Sequence, residues 1–277
     1  MTEVPQIPLN DGHWVSTLSL GTWLMNGPEA AAAIAGALQA GYRTIDTAAR
    51  YYNEEAIGQG MRESGLPRDQ IQVTTKVRGG DQGYDQTMRA CAASCRRLGV
   101  EYIDHYLVHW PLPRLDAYVE TWQAMIELRR QGLIHSLGVS NFSAAQIDRL
   151  TAETGVTPAL NQIEMHPHLA QQELRAACAE RGVAVQAWGP LGRGKGLLDS
   201  APLQAAAAAH EVSPAQVVLR WLVQHGVAPV PKSAARDRRA QNLDIFSFTL
   251  TDDQMSQIDA LDQGRRYGKD PAEAEEF

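Results

Sequence analysis

Asp46, Lys76 and His109 each close a short run of β-forming residues: Tyr42-Arg43-Thr44-Ile45-Asp46, Val73-Thr74-Thr75-Lys76 and Tyr106-Leu107-Val108-His109. Later runs end on or near Ser140-Asn141, Gln162 and Glu164, Trp188, and Lys232-Ser233. A carboxylate, an ammonium and an imidazole can hold or transfer protons beside a reacting group. Hydroxyls and amides can fix a polar ligand. Singly, each has a structural use: Asp46 can cap the following turn, Lys76 can be a surface charge, and His109 can be a structural histidine. Their recurrence at the same end of successive runs favours an active site.

Those runs must be held side by side. Leu18-Ser19-Leu20 reads as a first strand, followed by strand-like segments at 42–46, 71–75, 102–108, 134–139, 160–164, 183–187 and 227–230, each with a helical pattern behind it. Gly27-Pro28-Glu29 opens the first helix, with proline in its first turn, and Gly41 is placed to end it. Ser143-Ala144-Ala145-Gln146, Ser213-Pro214-Ala215-Gln216 and Thr251-Asp252-Asp253-Gln254 are capping boxes. Tyr118, Trp122, Met125, Ile126 and Arg129 put a core stripe on one helix face. Cys91, Cys95 and Leu98 share the apolar face of another. Eight strand–helix units predict an α/β fold, a (β/α)₈ TIM barrel, as a single domain over residues 1–277, with an irregular tail from about 262 to 277. The rival, a doubly wound sheet, favours a Gly-rich fingerprint after its first strand, and Gly21-Thr22-Trp23-Leu24-Met25-Asn26 is not one. On a barrel, residues at these strand ends share the rim that carries catalysis.

The bulk numbers agree. The chain has 277 residues, 44% of them hydrophobic, enough for a full core. A net charge of −7 argues against a general nucleic-acid surface. Three cysteines without paired spacing (Cys91, Cys95, Cys178) argue against a disulfide framework. Met1 to Asn10 lacks the basic and apolar stretches of a signal peptide, and no apolar run reaches the ~18 residues of a membrane span. The expectation is a cytoplasmic monomer. His166-Pro167-His168 invites a metal, but no companion ligands have the right spacing, so none is expected.

Beyond these patterns, Gly41 to Asp46 continuing through Thr47-Ala48-Ala49-Arg50-Tyr51-Tyr52-Asn53-Glu54 resembles the signature of aldo-keto reductases. Leu107-Val108-His109-Trp110-Pro111, Gly138-Val139-Ser140-Asn141-Phe142, Asn161-Gln162-Ile163-Glu164 and Pro231-Lys232-Ser233 are similar to four more motifs of that family, in order, so that the likeness runs from about Leu18 to Leu261. Within the family the likeness is to the bacterial 2,5-diketo-D-gluconate reductases.

The resemblance implies an NADPH-dependent reduction of a small carbonyl compound: an aldehyde, a ketone or a keto-sugar acid. The cofactor supplies a hydride, and Tyr51 supplies the proton. A free phenol has a pKa near ~10, and the Lys76 ammonium is expected to lower it. Asp46 holds Lys76, and His109 orients the carbonyl. The five-residue step from Asp46 selects Tyr51 over Tyr52. By the same resemblance Gly21, Thr22 and Asp46 touch the cofactor, and Ser140, Asn141 and Gln162 bind its carboxamide. Trp188 stacks on its ring, and Gly189, Leu191 and Gly192 approach its pyrophosphate. Lys232, Ser233 and Arg238 meet the 2′-phosphate, and Gln241 and Asn242 flank the adenine. Arg239 reads as part of a solvated helix face. Trp23 and Trp110, with Tyr51 and His109, line the substrate pocket.

The chain departs from the family after Lys76. Val77-Arg78-Gly79-Gly80 replaces a Leu-Trp-Asn segment, and its two glycines predict a loose loop. The tail run Gly264-Arg265-Arg266-Tyr267 is read as a closure over the substrate, its arginines complementing a carboxylate. Two other functions compete. A non-enzymatic NADPH-binding regulatory module on the same fold would retain the same residues. A barrel hydrolase would need a nucleophile with its base, or a metal cluster, and neither stands out.

Overall fold

Local signals set the ends of the elements. In the computed structural model, which describes residues 4–275, Pro28 lies in the first turn of α1 (Gly27–Ala40), and Gly41 ends that helix at φ 120. Residues 1–3 and 276–277, the extremes of the segments read above as a polar start and an irregular tail, lie outside the described residues. All three capping boxes form, on α5 (Ala144–Thr154), α8 (Pro214–Gln224) and α10 (Asp252–Asp259).

Two short strands, β1 (Gln6–Pro8) and β2 (Trp14–Ser16), precede the barrel. The barrel strands follow: β3 (Leu20–Gly21), β4 (Thr44–Asp46), β5 (Gln72–Val77), β6 (Ile103–Val108), β7 (Ile134–Ser140), β8 (Leu160–Glu164), β9 (Ala184–Trp188) and β10 (Ala228–Val230). They pair in parallel in sequence order, from β3 to β10. The ring closes through a bridge between Gly21 and Lys232, with Ser19 N donating to Pro229 O at 3.1 Å and Gly21 N to Pro231 O at 3.0 Å. Gly21 permits that approach, since a β-carbon there would lie 3.0 Å from the Val230 carbonyl oxygen. The expected (β/α)₈ barrel is therefore the observed fold, with predicted strands displaced by one or two residues.

Helices cover the strands: α2 (Glu54–Glu63), α3 (Tyr84–Leu98), α4 (Tyr118–Arg130) and α6 (Gln172–Glu180) join α1 and α5, while α7 (Ala201–His210) and α8 both follow β9. Tyr118, Trp122 and Met125 are buried, as the stripe predicts. Trp122 alone removes ~150–250 Å² from water, a contribution of about 4–6 kcal/mol at ~25 cal/mol per Å². Cys91, Cys95 and Leu98 are buried together, and the three cysteines are free thiols. No described helix is long and apolar enough to cross a membrane.

Three features add to or correct the sequence reading. The β1–β2 hairpin is unforeseen: prolines and three-residue strands hide it, and its support is tertiary. Trp14 O accepts from Gln72 Nε2 at 2.7 Å and bonds His105 Nε2 at 3.1 Å, closing the N-terminal end of the barrel. Arg239, read as solvated, is buried on α9 (Arg236–Leu243), its guanidinium bonded to the Ala234 carbonyl. Gly79–Asp81 forms a 3₁₀ turn, and the Arg78–Asp81 pair spans it at 2.7 Å.

Candidate active site

The alternation of β5 decides the centre of the site. Successive side chains on a strand point to opposite faces, so Thr75 faces the helices while Lys76 enters the barrel. Lys76 Nζ donates to Asp46 Oδ1 at 2.7 Å and to Thr47 O at 2.9 Å, and both side chains are almost wholly buried. Gln162 Nε2 reaches across to Asp46 Oδ2 at 2.7 Å. Asp46 thus accepts from two strands at once. Its side-chain oxygens are taken by an ammonium and an amide.

Tyr51 ends a 3₁₀ turn, Ala49–Tyr51, and Tyr52 follows at φ 55, in the left-handed region. That reversal separates the two tyrosines. Tyr52 is 69% exposed, whereas Tyr51 lines a cavity of about 870 Å³ at the C-terminal ends of the strands. Lys76 Nζ lies 5.4 Å from the Tyr51 ring centre. The Tyr51 and His109 rings meet edge to face, centres 5.8 Å apart. Backbone bonds hold His109 in place: its N–H donates to Val77 O at 3.2 Å, and its carbonyl accepts from Asn141 Nδ2 at 3.0 Å. Asn53, whose role the sequence reading did not assign, stitches the first two loops. It accepts from Thr47 Oγ1 at 2.7 Å and donates to Thr22 O and Met25 O, both at 2.9 Å.

One wall of the same cavity carries Ser140, Asn141, Gln162 and Trp188. Asn141 sits at φ 67 and accepts from Trp188 Nε1 at 2.8 Å, which fixes the indole edge. Ser140 Oγ donates to Gln162 O at 2.8 Å. Gly189, Pro190, Leu191 and Lys232 also line the cavity, as do Gly21, Thr22, Trp23 and Trp110. Two amides, a ring face and a lysine are a donor set suited to an amide-bearing ring joined to phosphates.

The remaining cofactor candidates lie outside this wall. Ser233 is buried and donates to Ala235 O at 3.3 Å. Arg238 and Gln241 are exposed on α9. Asn242 is buried and hydrogen-bonded to Tyr42. Gly192 faces Leu197 and Tyr267, where a β-carbon would come within 2.8 Å of Leu197 Cβ.

Sequence reading missed several lining residues. Arg193, at φ 50, lays its guanidinium 4.7 Å from the Trp23 ring centre and 4.9 Å from that of Trp188. Arg50 lines the cavity, as do Lys269, Ala274 and Glu275 of the tail. The glycines around Arg193 were a signal of a special loop, but nothing in the sequence aimed its side chain. The tail does fold onto the cavity, through different residues from those expected. Arg265 is exposed against the Tyr267 ring, and Arg266 lines a separate hollow of about 200 Å³. His166 and His168 contact Glu164 and Tyr267 respectively, and no metal-holding group of three His, Cys, Asp or Glu gathers among the described residues.

Comparison with known proteins places this geometry. Residues 17–263 match the model of the aldo/keto reductase family. A 2,5-diketo-D-gluconic acid reductase B of Corynebacterium sp. is 43% identical across the full length of both chains. A methylglyoxal reductase of Escherichia coli is 42% identical, covering 96% of each chain. A Bombyx mori aldo-keto reductase solved in complex with NADP superposes with a TM-score of 0.90 at 37% identity, covering 96% of this chain and 95% of that one.

Proposed function

The chain belongs to the aldo/keto reductase family, and on that premise we propose that it reduces a small aldehyde, ketone or keto-sugar acid with NADPH, Tyr51 giving the proton. The observation that carries this reading is the buried Asp46–Lys76 pair at the cavity floor, beside the Tyr51 and His109 rings. NADPH, when bound, would supply the hydride. Ser140, Asn141 and Gln162 would hold its carboxamide, Trp188 its ring, and Lys232 a phosphate.

The protein's own groups then do the acid–base work. The Tyr51 hydroxyl passes its proton to the substrate oxygen, and the Lys76 ammonium stabilises the phenolate left behind. Asp46 keeps Lys76 charged and aimed through the 2.7 Å bond. His109 orients the carbonyl oxygen by a hydrogen bond. Trp23, Trp110 and Trp188 exclude water, which strengthens each of these electrostatic interactions. Arg50, Arg193 and Lys269 on the cavity wall favour an anionic carbonyl compound such as 2,5-diketo-D-gluconate over a neutral one. The same reading makes the protein a cytoplasmic monomer, and a dimer mass by light scattering would overturn the second part.

The test follows oxidation of NADPH, and of NADH in parallel, against 2,5-diketo-D-gluconate, methylglyoxal and an aromatic aldehyde. Wild type should turn over with a preference for NADPH and for the acid. Tyr51→Phe should lose about 10³-fold in kcat with cofactor affinity unchanged. Normal turnover by that variant would remove Tyr51 as the donor. Tight NADPH binding without turnover on any compound would favour the non-enzymatic module.

A further inference from the structure

Glu164 ends β8 on the catalytic rim, yet its side chain contributes nothing to the cavity. It is 1% exposed and turned toward the tail. Its Oε1 accepts from Tyr267 N at 2.7 Å and Gly268 N at 2.9 Å, and its Oε2 from Gly268 N at 3.1 Å. His166 Nε2 stands 3.3 Å from Oε1. We propose that Glu164 is a positioning residue for the carbonyl pocket: it clamps the tail backbone at Tyr267 and Gly268, and so sets where Trp188 and Lys269 stand.

Three observations carry the clamp. First, a buried carboxylate is costly unless donors meet it, and here the donors are backbone N–H groups of a segment without regular secondary structure. Burial opposes the charge, but the bonds from His166 and the two backbone N–H groups outweigh it and hold the carboxyl below its ordinary range. Second, Gly268 is pressed against the indole. A β-carbon there would lie 2.3 Å from Trp188 Cη2 and 3.1 Å from Glu164 Oε2. Only glycine lets the tail sit between the carboxylate and the ring, so the clamp presses directly on the ring proposed to stack with the cofactor. Third, the clamp is the inner end of a strap. His168 Nδ1 and the Tyr267 hydroxyl are hydrogen-bonded at 2.6 Å, and Arg265 N donates to His168 O at 2.9 Å. Beyond the clamp, Lys269 lines the cavity while its Nζ donates to Glu275 O at 3.1 Å, and Glu275 pairs with Arg114 at 2.5 Å. That outer pair is largely exposed and weak, which leaves Glu164 as the strong anchor.

The kinetic half of this proposal rests on the reductase reading; the clamp itself does not. Glu164→Gln keeps the shape and removes the charge. Gly268→Ala leaves Glu164 intact and displaces the tail from Trp188. Circular dichroism checks that each variant folds. Trypsin, read by mass spectrometry, then reports cleavage after Arg265, Arg266 and Lys269, all beside the clamp. Both variants should be cut about tenfold faster there than wild type, the scale of a lost charge-assisted hydrogen bond. Both should raise KM for the carbonyl substrate about tenfold, and Gly268→Ala, which crowds the Trp188 ring, should also weaken NADPH binding. Wild-type cleavage rates and unchanged KM in both folded variants would overturn the clamp. An inactive wild type would sink the reductase reading alone, because the cleavage comparison needs no substrate.

Discussion

Two ion pairs, each on a buried carboxylate, lie back to back across β5, and they serve different ends. Outside the barrel, Glu54 at the start of α2 accepts from Thr75 Oγ1 at 2.6 Å, Ser94 Oγ at 3.3 Å and Arg97 Nε at 2.7 Å. Inside, Asp46 accepts from Lys76 and Gln162. Thr75 and Lys76 are neighbours in sequence, and the strand sends one to each pair. The outer carboxylate is surrounded by donors on β5 and α3, and its arginine is 38% exposed, so the charge is partly solvated. The inner lysine is 1% exposed and is bonded to Asp46, which lines the cavity. Burying two charges seldom repays its desolvation cost in stability. On the proposed function the inner pair is explained by what it does to Tyr51, and the outer one by how it joins α2 to α3.

The largest effect should come from Lys76→Met, which ought to lower kcat by about 10³-fold. It also leaves Asp46 buried without its cation, and should cost about 3–5 kcal/mol in urea unfolding. Glu54→Ala should show the opposite profile: about 2 kcal/mol lost, because Arg97 can turn to solvent, with kcat within about twofold of wild type. If Glu54→Ala lost turnover on the scale of Lys76→Met, the distinction between the two pairs would collapse. Thr75→Val sharpens it on a single strand. Removing one donor from Glu54 should cost about 1 kcal/mol and leave kcat unchanged, although the next residue is Lys76; a large kcat loss there would couple the two faces.

The smallest effect is in pH, and it concerns the third buried carboxylate of the group. Glu164 titrates below its ordinary value in the folded protein, so its contribution is complete above that ordinary value of 4.5 and is lost as pH falls through the lower folded value. Exchange protection of the Tyr267 and Gly268 amides, corrected for intrinsic rates, should hold from neutrality down to about pH 4.5 and fall below it. Glu164→Gln should have no such step. Protection in wild type that begins to fail near pH 6 would take the step away from Glu164.

Much of the frame was legible because it is written in local signals. Capping boxes, Gly41 and the strand–helix alternation are short-range patterns, and they returned the barrel and the order of its elements. Asp46, Lys76 and His109 were legible by position, since each ends a strand-like run and the fold brings such ends to one rim, while Tyr51 was legible only through the resemblance. The β1–β2 hairpin was not legible, because its stabilising bonds run to Gln72 and His105, far away in sequence. Nor was the burial of Arg239, which depends on the packing of α9 against the Ala234 carbonyl and α1.

What the sequence determined by itself is the barrel and the residues at its rim, which depend on periodicity and spacing, and the family, which rests on the resemblance of its motifs. Tertiary structure alone decided which of those residues face the cavity. It turned Tyr51 inward and Tyr52 outward through one left-handed residue, assigned Glu164 to the tail instead of the site, and put Arg193 and Lys269 on the cavity wall where Arg265 and Arg266 were expected. The reason is physical: direction depends on backbone torsion and on partners from remote segments, and neither is encoded in residue type or spacing.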